Sequence, residues 1–247
     1  MMDIVERLVP KATRRSLVRW LRSLTRRPRV GSIDFGDLRR LKPISAEWGF
    51  DRGMPIDRFY IDQFLSSESE VVRGRVLEIG SPELTHRYGD GRVTRSDVLH
   101  VADARPPVTI VGNLATGEGI RSNAFDCAIV TQTIQLIYDI HGVVQTLHRM
   151  LAPGGIALVT VPGISRISRY DMDRWGQYGC FTTRSARQLF EEAFAPANVR
   201  VRAYGNVLAA TAFLHGVAAE ELDAAELLAL DADFETLIAV RARKEAP

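Results

Sequence analysis

The chain has 247 residues, 46% hydrophobic and 25% charged, a balance that supports a folded core and excludes a low-complexity or disordered chain. Two cysteines without CxxC or Cys/His spacing argue against a disulfide framework or structural zinc and fit a reducing, cytoplasmic setting. No apolar run reaches the roughly 18 to 20 residues a bilayer span requires, and charge at the N-terminus occupies the place of a signal peptide's apolar region.

The net charge of +2 hides an asymmetry. Residues 11–29 hold eight basic and no acidic side chains, so the remainder is acidic on balance. Within that stretch Leu17, Trp20, Leu21 and Leu24 recur at helical spacing, while Arg15, Arg19, Arg22 and Arg26 fall on another side. This predicts a basic amphipathic helix. Three docking places are open to it: its own domain, an anionic membrane surface or a partner protein. Nucleic acid is disfavoured, because no aromatic beyond Trp20 interleaves the basic residues and no recognition motif is present. Residues 30–45, mixed in Gly, Pro, Ser and charge, read as a linker, so 1–44 form an N-terminal extension and 45–247 the main domain.

Pro55 opens a helix in which Ile56, Phe59, Tyr60 and Phe64 share one face. From residue 75 a regular alternation begins. Strands are predicted at 75–79, 92–98, 108–112, 125–131, 156–162, 198–205 and 234–242, with helices clearest at 134–151 and 183–194. Thr182 or Thr183 caps the second of these. Near-continuous apolar strands alternating with helices imply a mostly parallel sheet covered on both faces. About a dozen residues join the first two strands, so their crossover helix must be very short. Cys127, inside an apolar strand, reads as a buried hydrophobe.

Ligands of open parallel sheets gather at the carboxyl ends of the strands, near the point where strand order reverses. The residues there are Gly80 and Ser81 after the first strand, Asp97 after the second, Asn113 after the third and Thr131 to Thr133 after the fourth. Asp97 follows Gly80 by 17 residues, close to the separation at which a second-strand carboxylate accepts ribose hydroxyls.

The succession VLEIGS, SDVLHV, TIVGNL, FDCAIVTQTIQLIYD, LHRMLAPGGIALVTVPG and CFTTRSARQLFEEAF resembles the class I S-adenosylmethionine-dependent methyltransferases over roughly residues 45 to 243. That resemblance implies a Rossmann-like α/β fold: a seven-stranded, mostly parallel sheet with an antiparallel last strand formed by a hairpin from the sixth, and helices on both faces. WGFDRGMPIDRFYIDQFL and YGNVLAATAFLHGVAAEEL further resemble a bacterial subgroup associated with glycosyltransferases and sugar-polymer biosynthesis. The implied cofactor is S-adenosylmethionine. Its implied contacts are Glu78, Gly80, Ser81, Asp97 with Val98, Asn113 with Leu114 beside the adenine, and Thr131 with Gln132 facing the methionine moiety. Pro82 and Leu84 stand where further loop glycines often occur, a departure that weighs more against a dinucleotide, whose pyrophosphate needs close backbone approach, than against a sulfonium cofactor.

A hydroxyl acceptor needs a base, for which the candidates are His100, His141 and Asp139, with His86, His148, Tyr170 and Asp171 behind them. Substrate contacts are expected from Trp48, Asp51 and Arg52 before the domain's first strand and from Trp175 and Tyr178 after its fifth, where Trp, Arg and Asp suit a sugar or other polar group. The reading is O-methylation of a small polar or glycan acceptor, with a glycosyltransferase or an anionic membrane surface as the candidate partners of residues 11–29. Its rival is a non-catalytic scaffold of the same fold; a nicotinamide oxidoreductase is disfavoured by the missing GxGxxG.

Overall fold

The structure is a computed structural model that describes residues 28–246. The predicted basic helix of 11–29 therefore lies almost wholly outside the described residues. Residues 28–41 hold one 3-10 turn, Gly36–Leu38, and Lys42–Pro247 make a separate compact unit. No helix among the described residues is long and apolar enough to cross a membrane.

The compact unit contains β1 (Gly74–Ile79), β2 (Val93–His100), β3 (Ile110–Val111), β4 (Phe125–Thr131), β5 (Leu151–Pro162), β6 (Val199–Tyr204) and β7 (Leu237–Arg243). The spatial order is β3-β2-β1-β4-β5-β7-β6. β7 pairs antiparallel with both β5 and β6, and every other pairing is parallel. Helices are α1 (Ile56–Ser67), α2 (Glu83–Gly89), α3 (Ile140–Met150), α4 (Arg169–Met172), α5 (Thr183–Glu191), α6 (Val207–His215) and α7 (Ala224–Leu228).

The strands read as unbroken apolar runs because each face has its own cover. Leu77, Ala128, Val130, Val159 and Val240 point into a core with Leu147 of α3 and Phe190 of α5. Their neighbours Val76, Cys127, Ile129, Leu158 and Ala239 point the other way, onto Ile56, Tyr60 and Leu65 of α1 and Phe213 of α6. Strand alternation thus delivers one residue to each core in turn. Gly74 opens β1 at φ +67, where a Cβ would meet the Asp126 side chain; that carboxylate instead accepts the Arg75 peptide N–H at 2.7 Å.

Three details differ from the sequence expectation. The 134–151 helix is two pieces, a 3-10 turn at Ile134–Leu136 and then α3, because Ile137 is extended and Asp139 starts a new helix by accepting the Gly142 N–H at 2.9 Å. The link from β6 to β7 is no tight hairpin: residues 205–236 carry α6 and α7 before the chain returns. β3 is only two residues long, and no helix covers the chain between it and β2. The first crossover helix, α2, is short as expected, at seven residues.

The inserted α6 is what builds one wall of the site. Ile44 and Ser45 donate peptide N–H groups to His215 O at 2.8 and 3.1 Å, Pro55 bridges Ala218, and Trp48 packs on Phe213 at 5.3 Å between ring centroids. The two segments WGFDRG and FLHGV are thereby held side by side.

Candidate functional site

Strand order reverses between β1 and β4, so the loops after these strands diverge and leave a crevice at the carboxyl edge of the sheet. Gly80 ends β1 at φ +81, exposed, with open space where its Cβ would be. Its N–H donates to Leu99 O at 3.1 Å, and Gly112 N–H donates to His100 O at 3.1 Å, so the ends of β1, β2 and β3 lie side by side. Buried Glu78 accepts the Leu84 and Thr85 N–H groups at 3.1 and 2.7 Å, which anchors the loop and the start of α2. Burial pushes its carboxyl above the ordinary range against those hydrogen bonds. Ser81 is half-buried inside this anchored turn.

Asp97 lies deeper than its spacing from Gly80 predicts. β2 runs on to His100, and the register pairs Leu77 with Asp97 and Ile79 with Leu99, so Asp97 lies inside the sheet rather than at its edge. The carboxylate is fully buried and already engaged by Arg75 Nε at 2.6 Å, Arg95 Nη2 at 3.1 Å and the Thr109 hydroxyl at 3.1 Å. Burial alone would raise it, but these donors hold it below the ordinary carboxylate range. Its neighbour Val98 is buried in the same strand, and Leu114 packs into the core. None of the three offers a free face to a ligand.

The groups at that edge are His100 and, beyond it, half-buried Asp103. His100 Nδ1 accepts the Ala102 and Asp103 N–H groups at 3.2 and 2.8 Å, which leaves the ring proton on Nε2 and makes the imidazole a turn-former rather than a free base. The Arg105 guanidinium, 2.7 Å from Asp103, draws that carboxyl down. Trp175 sets its ring edge-on to His100 at 5.9 Å, so the segment after β5 reaches across to β2. Asn113 accepts the Ala115 N–H through Oδ1 at 2.8 Å, which keeps Nδ2 as its outward donor.

Beside the end of β4 opens a cavity of about 250 Å³ lined by Thr131, Gln132, Gln135, Asp57, Arg58, Arg166, Ser165, Gln177 and the rings of Trp48, Phe50 and Phe213. Gln132 holds φ +48, an uncommon conformation for a side chain of its size. Gln135 is 7% exposed; its Nε2 donates to Gln132 Oε1 at 3.0 Å, and its own Oε1 has no partner. Arg166 stacks over Trp48 at 4.1 Å, gives Nη2 to Ala46 O at 2.6 Å and leaves Nε without a partner. Burial lowers its pKa, with Glu47 opposing. Asp57, in the first turn of α1, is pushed up by burial, the nearby Arg58 only partly offsetting this.

Of the expected substrate contacts, Trp48 alone lines this cavity. Asp139 is occupied as the α3 cap, and His141 is exposed with Nδ1 2.6 Å from Glu192 Oε2, a partner that raises its pKa. Asp51 accepts the Ser45 hydroxyl, and Arg52 gives Nε to Glu221 at 3.0 Å, both outside the cavity. Tyr178 is exposed against Tyr138 at 5.3 Å, though its N–H bonds Gln135 O at 2.8 Å and so braces the cavity wall. Trp48 lines the cavity but its ring is covered by Arg166 and Phe213. Sequence reasoning missed Asp57, Arg58, Gln135 and Arg166. The one signal present for them was Pro55-Ile56-Asp57-Arg58, which marked a helix start and not the direction it faces.

Residues 83–159 match the methyltransferase domain family. A search of curated proteins finds no match. Among solved structures, the chain is similar to the [4+2]-cyclase SpnF, with a TM-score of 0.52 and 15% identity over 79% of this chain and 85% of that one. It is also similar to a putative sarcosine dimethylglycine methyltransferase from Galdieria sulphuraria, with a TM-score of 0.50 and 15% identity over 76% of this chain and 86% of that one. The chain has the Rossmann-like fold of these proteins, and the domain match supports S-adenosylmethionine as its cofactor.

Proposed function

We propose that the protein transfers a methyl group from S-adenosylmethionine to a hydroxyl oxygen of a small polar or glycan acceptor. The donor set at the sheet edge suits that cofactor. Gly80 leaves an open turn, and Asn113 Nδ2 offers a donor to a base edge. The Asp103 carboxylate is held by Arg105, but that guanidinium is 87% exposed and can swing into solvent, which frees the carboxylate to accept both hydroxyls of a ribose. Thr131 and Gln132 belong both to this edge and to the neighbouring cavity, which makes them the join between cofactor and acceptor. Bound there, the cofactor supplies a methyl group on positively charged sulfur. The protein's own part is then to hold the acceptor in line and to exclude water.

The observation that carries the choice of a hydroxyl is the polar lining of the cavity, where Gln135 and Arg166 each keep a buried polar atom without a partner. A buried acceptor and a buried donor left unpaired each cost roughly 1 to 3 kcal/mol. Hydroxyl groups match such a lining, since each donates and accepts, whereas a thiol does both only weakly. The cavity's ionic side chains, Asp57 and Asp171 against Arg58 and Arg166, balance, which suits an uncharged acceptor.

Calorimetric titration with S-adenosylhomocysteine, with NAD as control, tests the reading. Saturable binding of the first alone is expected. Binding of neither would leave a scaffold that keeps the fold without the chemistry. The basic segment 11–29 is proposed to bring the enzyme to an anionic membrane surface or to a glycosyltransferase that makes its acceptor.

A further inference from the structure

We infer that Asp57 is the catalytic base that takes the proton of the acceptor hydroxyl, with Gln135 and Arg166 holding the acceptor's neighbouring hydroxyl groups. This rests on the methyl-transfer reading above and adds to it the residue and the chemical class of substrate, an uncharged compound with two or more hydroxyls. Asp57 sits in the first turn of α1 with its side chain 13% exposed, lining the cavity that Thr131 and Gln132 also line. Its nearest ionic partner, Arg58 Nη1, is 3.9 Å away, beyond hydrogen-bond length; the peptide N–H groups of Asp57 and Arg58 meet the carboxylate, and with two oxygens it has lone pairs left for a ligand. The other candidates are spent: Asp139 caps a helix, His141 pairs with Glu192 and His100 Nδ1 closes a turn.

A desolvated carboxylate is a stronger base than one in water, and the burial that raises Asp57 has that effect. A lone pair of the acceptor oxygen forms the new C–O bond as the C–S bond breaks, and sulfur keeps that pair as a neutral thioether. The hydroxyl proton passes to a carboxylate oxygen of Asp57, which returns it to water. The Gln135 amide and the Arg166 guanidinium, both in the cavity lining, hold a second hydroxyl of the acceptor.

The test uses the full chain and a panel of uncharged methyl hexosides as acceptor probes. Binding is followed by saturation-transfer NMR and turnover by release of S-adenosylhomocysteine from S-adenosylmethionine. Asp57→Asn is expected to bind S-adenosylhomocysteine and the hexoside within threefold of wild type while kcat falls 100-fold or more, the range of general-base catalysis. The acidic limb of the pH–kcat profile should vanish with it. Arg58 on the same helix, Arg166 and Asp171 in the cavity lining, and Glu47 near Arg166 remain in both proteins and set the profile's position. Gln135→Met should instead raise the hexoside KM about tenfold at near-constant kcat. Should Asp57→Asn not fold, Asp57→Glu carries the test, with kcat down at least tenfold and the acidic limb retained. A kcat for Asp57→Asn within threefold of wild type overturns the assignment. A protein that binds S-adenosylhomocysteine yet methylates no hexoside overturns the hydroxyl class and leaves methyl transfer standing; one that binds no S-adenosylhomocysteine overturns both.

Discussion

Replacing Asp97 separates a structural carboxylate from a ligand-binding one. In Asp97→Ala the Arg75 guanidinium, three-quarters buried, loses a 2.6 Å charged hydrogen bond and remains against Phe125 at 4.8 Å. Removing one partner of a fully buried pair costs about 3 to 5 kcal/mol, but Arg75 retains some access to water and Arg95 is 62% exposed, so both can rehydrate. The expected loss is therefore about 2 to 3 kcal/mol. For a domain of this size that lowers Tm by about 4 to 12 °C. Because the folded carboxyl lies below its ordinary value of 3.8, its contribution is complete above that value and disappears as pH falls through the folded one. Wild type and Asp97→Ala should thus differ in urea midpoint at pH 7 and converge in the acid range below about pH 4. Affinity for S-adenosylhomocysteine, measured by calorimetry, should stay within threefold. A tenfold weaker affinity with unchanged stability would refute the placement of Asp97 as an interior ion pair.

Asp103→Ala should behave in the opposite way, weakening S-adenosylhomocysteine by about 1.5 to 3 kcal/mol in calorimetry, the scale of hydrogen bonds to a charged group, with Tm nearly unchanged because Asp103 is a loop residue outside the core. Glu78→Ala removes the acceptor of two N–H groups at the start of α2 and should cost about 2 kcal/mol in denaturant unfolding. His141→Ala, which removes only an exposed pair with Glu192, should leave turnover within twofold; a large loss would return His141 to the list of bases. Deletion of residues 11–29 should abolish sedimentation with anionic liposomes at low salt while S-adenosylhomocysteine affinity is kept, and a full-length chain that never sediments would remove the membrane from its proposed partners.

The order of elements was legible in the sequence because strand interiors are set by local apolar runs: β4 falls at the residues its pattern marks, and the antiparallel partner of β5 is where the last apolar run stands. What local pattern did not carry was where strands stop. β2 continues through Leu99 and His100 because Gly80 N–H and Gly112 N–H are there to bond its last carbonyls, partners distant in sequence. The 17-residue spacing from Gly80 therefore reaches a carboxylate that lies one level too deep in the sheet. The same cause hid the acceptor cavity. Asp57, Gln135 and Arg166 belong to a helix start, a 3-10 turn and a loop whose sequences look like ordinary capping and surface polarity. They meet in one space through contacts distant in sequence: α6 packs against the 44–54 segment, Arg166 bonds Ala46 O in that segment, and the Tyr178 N–H bonds Gln135 O. Spacing along one chain marks residues of a single strand edge well. It says little where a site is assembled from three connections, since whether a polar side chain there faces water or a cavity depends on which distant segment covers it.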